Sequence, residues 1–141
     1  MKKIVLFLAV AVFAGCSSSD DAAKVELYLT SDGAQRPFFA ETTQDVNADG
    51  ENAILVYADR TGEQLNFDVV VGATGDNVVE HVEFIPNVSE GTVYQINDVF
   101  YSNVSVNSDT RLKGVFSGNL SDGTVEKYIE CTFDVKKNAS N

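Results

Sequence analysis

Val115-Phe116-Ser117-Gly118-Asn119-Leu120, then Ser121-Asp122-Gly123-Thr124, then Val125 to Val135 (VEKYIECTFDV) is the stretch that decides the fold. Two runs of alternating apolar residues stand on either side of a short polar cluster containing Asp-Gly, the mark of a β-hairpin. Leu112, Phe116 and Leu120 share one face of the first strand. Val125, Ile129, Cys131, Phe133 and Val135 make a stripe along the second. Successive side chains of a strand point to opposite faces, so each stripe marks a face that is buried.

The same period of two extends outward from this hairpin. Val25, Leu27 and Leu29 alternate with Glu26, Tyr28 and Thr30, and Leu65, Phe67, Val69 and Val71 alternate with Asn66, Asp68 and Val70. Phe100, Val104 and Val106 are expected on one face of a further strand. Between the runs lie turn clusters: Ser31-Asp32-Gly33, Asp45 to Gly50, Thr61-Gly62, Gly72 to Asn77, Pro86 to Gly91 and Asn107-Ser108-Asp109. Short alternating strands at this spacing, with no window of helical periodicity, predict an all-β fold. The expected architecture is an antiparallel β-sandwich, with a small β-barrel as the alternative.

The chain opens MKKIVLFLAVAVFAGC: Lys2 and Lys3, an apolar run from Ile4 to Phe13, then Ala14-Gly15-Cys16. Charged, apolar and small segments in that order make a secretory leader. Its apolar part is shorter than the roughly twenty residues that span a bilayer. Phe13-Ala14-Gly15-Cys16 resembles a bacterial lipobox, with Phe13 where leucine is usual. That resemblance implies cleavage before Cys16 and acylation of its thiol, hence a membrane partner through a lipid anchor. Two or three acyl chains anchor stably where one binds only marginally. Ser17 to Asp21 (SSSDD) form a polar tether and resemble the export signals of surface-exposed Bacteroidetes lipoproteins. Outer membrane and cell surface are therefore expected, with the periplasmic leaflet as the alternative. The organisation follows: 1–15 leader, 16–23 lipidated cysteine and tether, 24–138 one β-domain, 139–141 tail.

The formal net charge is −11, and loss of Lys2 and Lys3 with the leader makes it more negative. Such a body repels phosphate backbones, so nucleic acid is not an expected partner. Once Cys16 is acylated, Cys131 has no cysteine to pair with, so no disulfide framework is expected. On its apolar stripe the Cys131 thiol is expected to be buried and inert.

The hairpin carries a second resemblance. Leu112-Lys113-Gly114-Val115-Phe116-Ser117-Gly118-Asn119-Leu120, the glycine turn and Thr132-Phe133-Asp134-Val135 look like the closing hairpin of small Bacteroidetes lipoproteins. There a G-x-F-S-G-x-L strand precedes one ending in glycine, any residue, Phe-Asp. Phe38-Phe39-Ala40 and Gly62-Glu63-Gln64-Leu65 fit the same pattern loosely, and Cys131 stands where glycine is common. The resemblance implies a β-sandwich-like domain and brings no established activity with it.

One motif could hold a cofactor. Asp45-Val46-Asn47-Ala48-Asp49-Gly50-Glu51 matches the first half of a D-x-N-x-D-G calcium loop. Calcium takes six to eight oxygens, which alternate acidic or amide side chains supply when glycine allows a sharp turn. Asp45, Asn47, Asp49 and Glu51 are the candidate ligands. The second half departs, with Ala53 and Val56 at the ninth and twelfth positions, and a strand follows where an EF-hand has a helix. Asn, Asp and Gly also build ordinary turns, so both readings stand.

No catalytic residue is assigned, and the chain is read as not an enzyme. His81, the only histidine, lies in the strand-like run Val78 to Ile85, on a face with Val79 and Ile85, as a surface or satisfied sheet residue. Glu80 and Glu83 read as a solvated face. There is no G-x-S-x-G elbow and no H-E-x-x-H spacing. The leading function is a non-enzymatic binding or structural module that engages an envelope protein, peptide or glycan. The alternatives are a calcium-dependent glycan-binding or hydrolase accessory protein, and an inhibitor of host hydrolases.

Overall fold

A computed structural model describes residues 25–138. The leader, Cys16, the tether and the tail 139–141 lie outside the described residues. Nine strands follow in chain order: β1 (Leu27–Ser31), β2 (Ala34–Val46), β3 (Asn52–Arg60), β4 (Glu63–Val70), β5 (Gly75–Asp76), β6 (Val79–Ile85), β7 (Tyr94–Asn107), β8 (Arg111–Ser121) and β9 (Glu126–Lys136). All pairings are antiparallel. The fold is all-β, as the period of two requires.

The sandwich expectation gives way to its alternative, a closed barrel. Sheet order runs β6-β4-β3-β2-β1-β9-β8, and β7 joins both ends by pairing with β6 and with β8. Short β5 attaches to β7 outside this ring of eight. Closure is possible because β7 is long and bent. Its register against β8 shifts between Ile96 and Phe100 and again between Val104 and Val106. The first shift gives β7 two extra residues and the second gives it one, and such insertions bend and twist a strand and let one sheet curl onto itself.

The hairpin that decided the fold class is β8–β9, in register from Arg111↔Lys136 to Ser121↔Glu126. Its turn is tied by Asp122, whose Oδ1 accepts from the backbone N–H of Thr124 and Val125. Those bonds, the Val125 amide first, hold the Asp122 carboxyl below its usual range. Between β1 and β2 the two-residue loop Asp32-Gly33 has positive φ at both positions (51° and 76°), the conformation that makes Asp-Gly a preferred tight hairpin turn.

The apolar stripes face inward. Leu27, Leu29, Leu65, Phe67, Val69, Leu112, Phe116, Leu120, Ile129, Cys131, Phe133 and Val135 are all buried. An inward apolar face is the reverse of the lipid-facing band of a membrane-spanning barrel. The interior is filled by rings: Phe67 lies 5.0 Å from both Phe116 and Phe133 between centroids, and Phe100 lies 5.5 Å from Phe116. Four expected core positions fall away, among them Val25, which precedes β1 and is only half-buried. Val71 and Val125 sit in turns and are exposed. Val106 loses the face of Val104 because the register shifts between them.

Cys131 is buried, opposite Leu29 on β1 and Phe116 on β8. Burial pushes its thiol pKa well above the ordinary value, so almost no thiolate forms at neutral pH. In the Cys16→Ser chain, where Cys131 is the only thiol, a maleimide should therefore label the native protein negligibly and the urea-unfolded protein fully. Cys131→Ser should cost about 1–2 kcal/mol, because a hydroxyl would be buried among apolar neighbours. Rapid labelling of the native chain would contradict the packing.

Candidate functional site

The polar residues that gather in this barrel do so on its outer wall, where the β2–β3 loop folds over β4 and β6. Asn47 organises the loop. Its Oδ1 accepts from the amides of Asp49 and Glu51, both at 3.0 Å, while its own amide donates to the Glu51 carbonyl. Gly50 adopts φ 84° to complete the turn, a conformation open to glycine at no steric cost. Asn47 Nδ2 then donates to Asp68 Oδ1 at 3.2 Å. By strand parity Asp68 lies off the core face, yet it is buried, because Asn47 and His81 cover it.

His81 owes its position to a bulge. Between Asn66↔Glu83 and Asp68↔Glu80, β6 carries one more residue than β4, and His81 has a left-handed φ of 48°. Adjacent residues in a regular strand point to opposite faces, so Glu80 and His81 would ordinarily part. The bulge instead tips the imidazole to the side of Glu80 and Asp68. His81 Nδ1 donates to Asp68 Oδ2 at 2.7 Å, and Nε2 lies 3.2 Å from Asp49 Oδ2. The expected face shared by His81, Val79 and Ile85 is thus corrected: Val79, Val82 and Phe84 are buried, while His81 turns outward.

One ligand-type atom from each of Asp49, Glu80 and His81 lies within 4.8 Å of the others. Burial, then the Glu51 charge, with Asp68 and Asp49 behind it, raises the Glu80 pKa against the pull of His81. Burial works to lower the His81 pKa. The Asp68 hydrogen bond and the charges of Asp68, Asp49 and Glu80 outweigh it and hold the imidazole above its ordinary value. Beside the group, Ala48, His81, Val82, Glu83, Gln95 and Ile96 line an open cleft of about 450 Å³.

The four candidate calcium ligands therefore part company. Asp45 is exposed on β2, with Oδ1 bound to the Val46 amide. Asn47 spends its side-chain oxygen on the loop's own amides. Glu51 is exposed and reaches Glu80 through its charge. Asp49 alone joins the histidine. Asp68, Glu80 and His81 were not legible as partners, since a Glu-His pair on a straight strand diverges and only the bulge makes it converge. No family model, curated protein or solved structure matches this chain. The structural ground for a functional reading is the geometry of this wall.

Proposed function

We propose that the chain is a lipid-anchored outer-membrane protein of the Bacteroidetes lipoprotein type, displayed at the cell surface. Its barrel acts as a non-enzymatic binding module for an envelope glycan, peptide or protein. The observation that carries the binding reading is a diagonal of exposed aromatics on the outer wall: Tyr28 (41%), Phe39 (62%) and Tyr57 (46%). Tyr28 is paired with Pro37 and Tyr57 with Glu41, so Phe39 stands two residues from each partner. Diagonal neighbours of this kind are about 7–8 Å apart, within reach of one ligand. Large exposed apolar side chains in a group mark interaction surfaces, whereas scattered ones do not.

Anchoring and binding are tested together. Cys16→Ser should move the protein from the membrane fraction to the soluble one, or leave it as an uncleaved precursor. Unchanged fractionation and processing would end the lipoprotein reading. The released wild-type barrel should co-sediment with isolated outer membranes or peptidoglycan sacculi. Combining Tyr28→Ala, Phe39→Ala and Tyr57→Ala should weaken that about tenfold or more, as loss of aromatic hot spots does. Sedimentation at background for wild type, or undiminished in the triple variant, would remove the aromatic wall as the binding surface.

A further inference from the structure

We propose that Asp49, Glu80 and His81 form a binding site for a divalent transition-metal ion of the zinc class, with Asp68 orienting the histidine. The site goes beyond the anchored binding module and stands whether or not the chain is lipidated.

The first support is the donor set and its spacing. Zinc binds imidazole nitrogen and carboxylate oxygen at about 2.0–2.2 Å, so a tetrahedral site has ligand-to-ligand edges of roughly 3.3–3.5 Å. His81 Nε2 and Asp49 Oδ2 are 3.2 Å apart, already at that edge. All three donor atoms lie within 4.8 Å of one another, so Glu80 stands no more than about 1.3 Å beyond a tetrahedral edge of roughly 3.5 Å. Three protein ligands leave a fourth position for water, the arrangement of an open zinc site. One nitrogen and two carboxylates suit zinc better than calcium, which requires six to eight oxygens.

The second support is orientation from behind. Metal-binding histidines hand their other ring nitrogen to a carboxylate or carbonyl, which sets the tautomer and ring angle. Here Nδ1 donates to Asp68 Oδ2 at 2.7 Å, and Asp68 is itself held by Asn47 Nδ2 at 3.2 Å. Nε2 is thereby aimed at Asp49.

The third support points to a ligand independently of the histidine. Glu80 Oε2 is shielded from solvent and has no hydrogen-bond partner among the described residues. A buried carboxylate oxygen left without a partner carries its full desolvation cost, and an ion is one of the few things that would offset it. His81 itself sits at a left-handed φ of 48°, a region where histidine is enriched along with asparagine and aspartate. What histidine adds there is a ring nitrogen beside two carboxylates.

The test uses the detergent-solubilised full-length chain carrying Cys16→Ser, stripped with chelator and titrated with zinc or calcium by calorimetry. Wild type should bind one equivalent of zinc, and calcium should not compete. Glu80→Gln and His81→Asn should each weaken zinc binding about tenfold or more; the asparagine keeps a residue that tolerates positive φ. Asp68→Asn should weaken it about 10–100-fold, with the imidazole ¹⁵N shifts reporting loss of the fixed tautomer. Cobalt(II) in place of zinc should give visible absorption bands that His81→Asn removes, while circular dichroism confirms that each variant keeps its fold. Absence of zinc binding by wild type, equal binding by both ligand variants, or preference for calcium would each overturn the proposal.

Discussion

Phe116→Ala is expected to destabilise the barrel by about 3–5 kcal/mol, the range for removing a buried aromatic ring. Phe116 is 1% exposed and is the ring that others meet. Phe67 lies edge-on at 5.0 Å, Phe100 at 5.5 Å and Phe133 at 6.1 Å. Its two strand neighbours, on β7 and β9, are Ser102 and Cys131, too small to move into the space. The cavity would therefore stay open, and the cost should fall at the upper end. Against a total stability of about 5–15 kcal/mol, that is a large fraction. Urea denaturation should show the midpoint falling with the slope unchanged. Val115→Ala, one residue away on the outer wall, should change stability by about 0.5 kcal/mol or less. Equal effects from the two would mean that the aromatic interior is not the core.

Gly114→Ala should be, with Gly118→Ala, among the most costly single-methyl additions at the described residues. Gly114 faces inward between Leu112 and Phe116, and its φ is not in the left-handed region, so no backbone strain is involved. The obstacle is space. A Cβ there would come within 2.5 Å of the Asn103 carbonyl oxygen and 2.7 Å of Phe133 Cζ, with Val104 Cα at 3.1 Å. Replacing glycine by alanine at an unstrained position stabilises by about 0.4–1 kcal/mol through the unfolded state. Overpacking costs about 1–3 kcal/mol, and more where backbone must move. Here the first contact is backbone of the paired strand β7, so the steric effect wins and the net change is destabilising by at least about 1–2 kcal/mol. Adding Phe133→Leu should relieve only part of it, because the Asn103 carbonyl remains. A chain stabilised by Gly114→Ala would show that β7 and β8 are not as closely paired as described.

These two positions belong to the G-x-F-S-G run that stood out in the sequence, and the structure gives the run a physical reason. On β8 a glycine, a phenylalanine and a glycine occupy successive inward positions, 114, 116 and 118. The ring fills the centre of the barrel. The glycines give room to Phe133 and Phe100 and to the close approach of β7. Small and large residues alternate on the inner face, as a narrow barrel requires.

Much of the fold was legible because strand parity is a local property. Leu27 with Leu29, Leu65 with Phe67 and Val69, and Ile129 with Cys131, Phe133 and Val135 were assigned to the core by alternation, and all are buried. Where parity failed, the backbone had left the regular strand. Val71 and Val125 sit in turns, and Val106 follows a register shift. The candidate site was less legible for the same reason. Asp49 could be picked out from its turn motif, but the carboxylate and imidazole beside it come from β6, far along the chain, and meet it only through a bulge.

By itself, then, the sequence determined an all-β antiparallel chain, its main turns and most of its inward faces. All of these depend on residue spacing over a few positions. Only the tertiary structure decided that the sheet closes, because closure depends on β7 pairing with β6 and β8 at once, and alternation carries no record of which strands become neighbours. It also decided that His81, Glu80 and Asp49 share one side of the wall, since a single extra residue in β6 reverses the direction its side chains take.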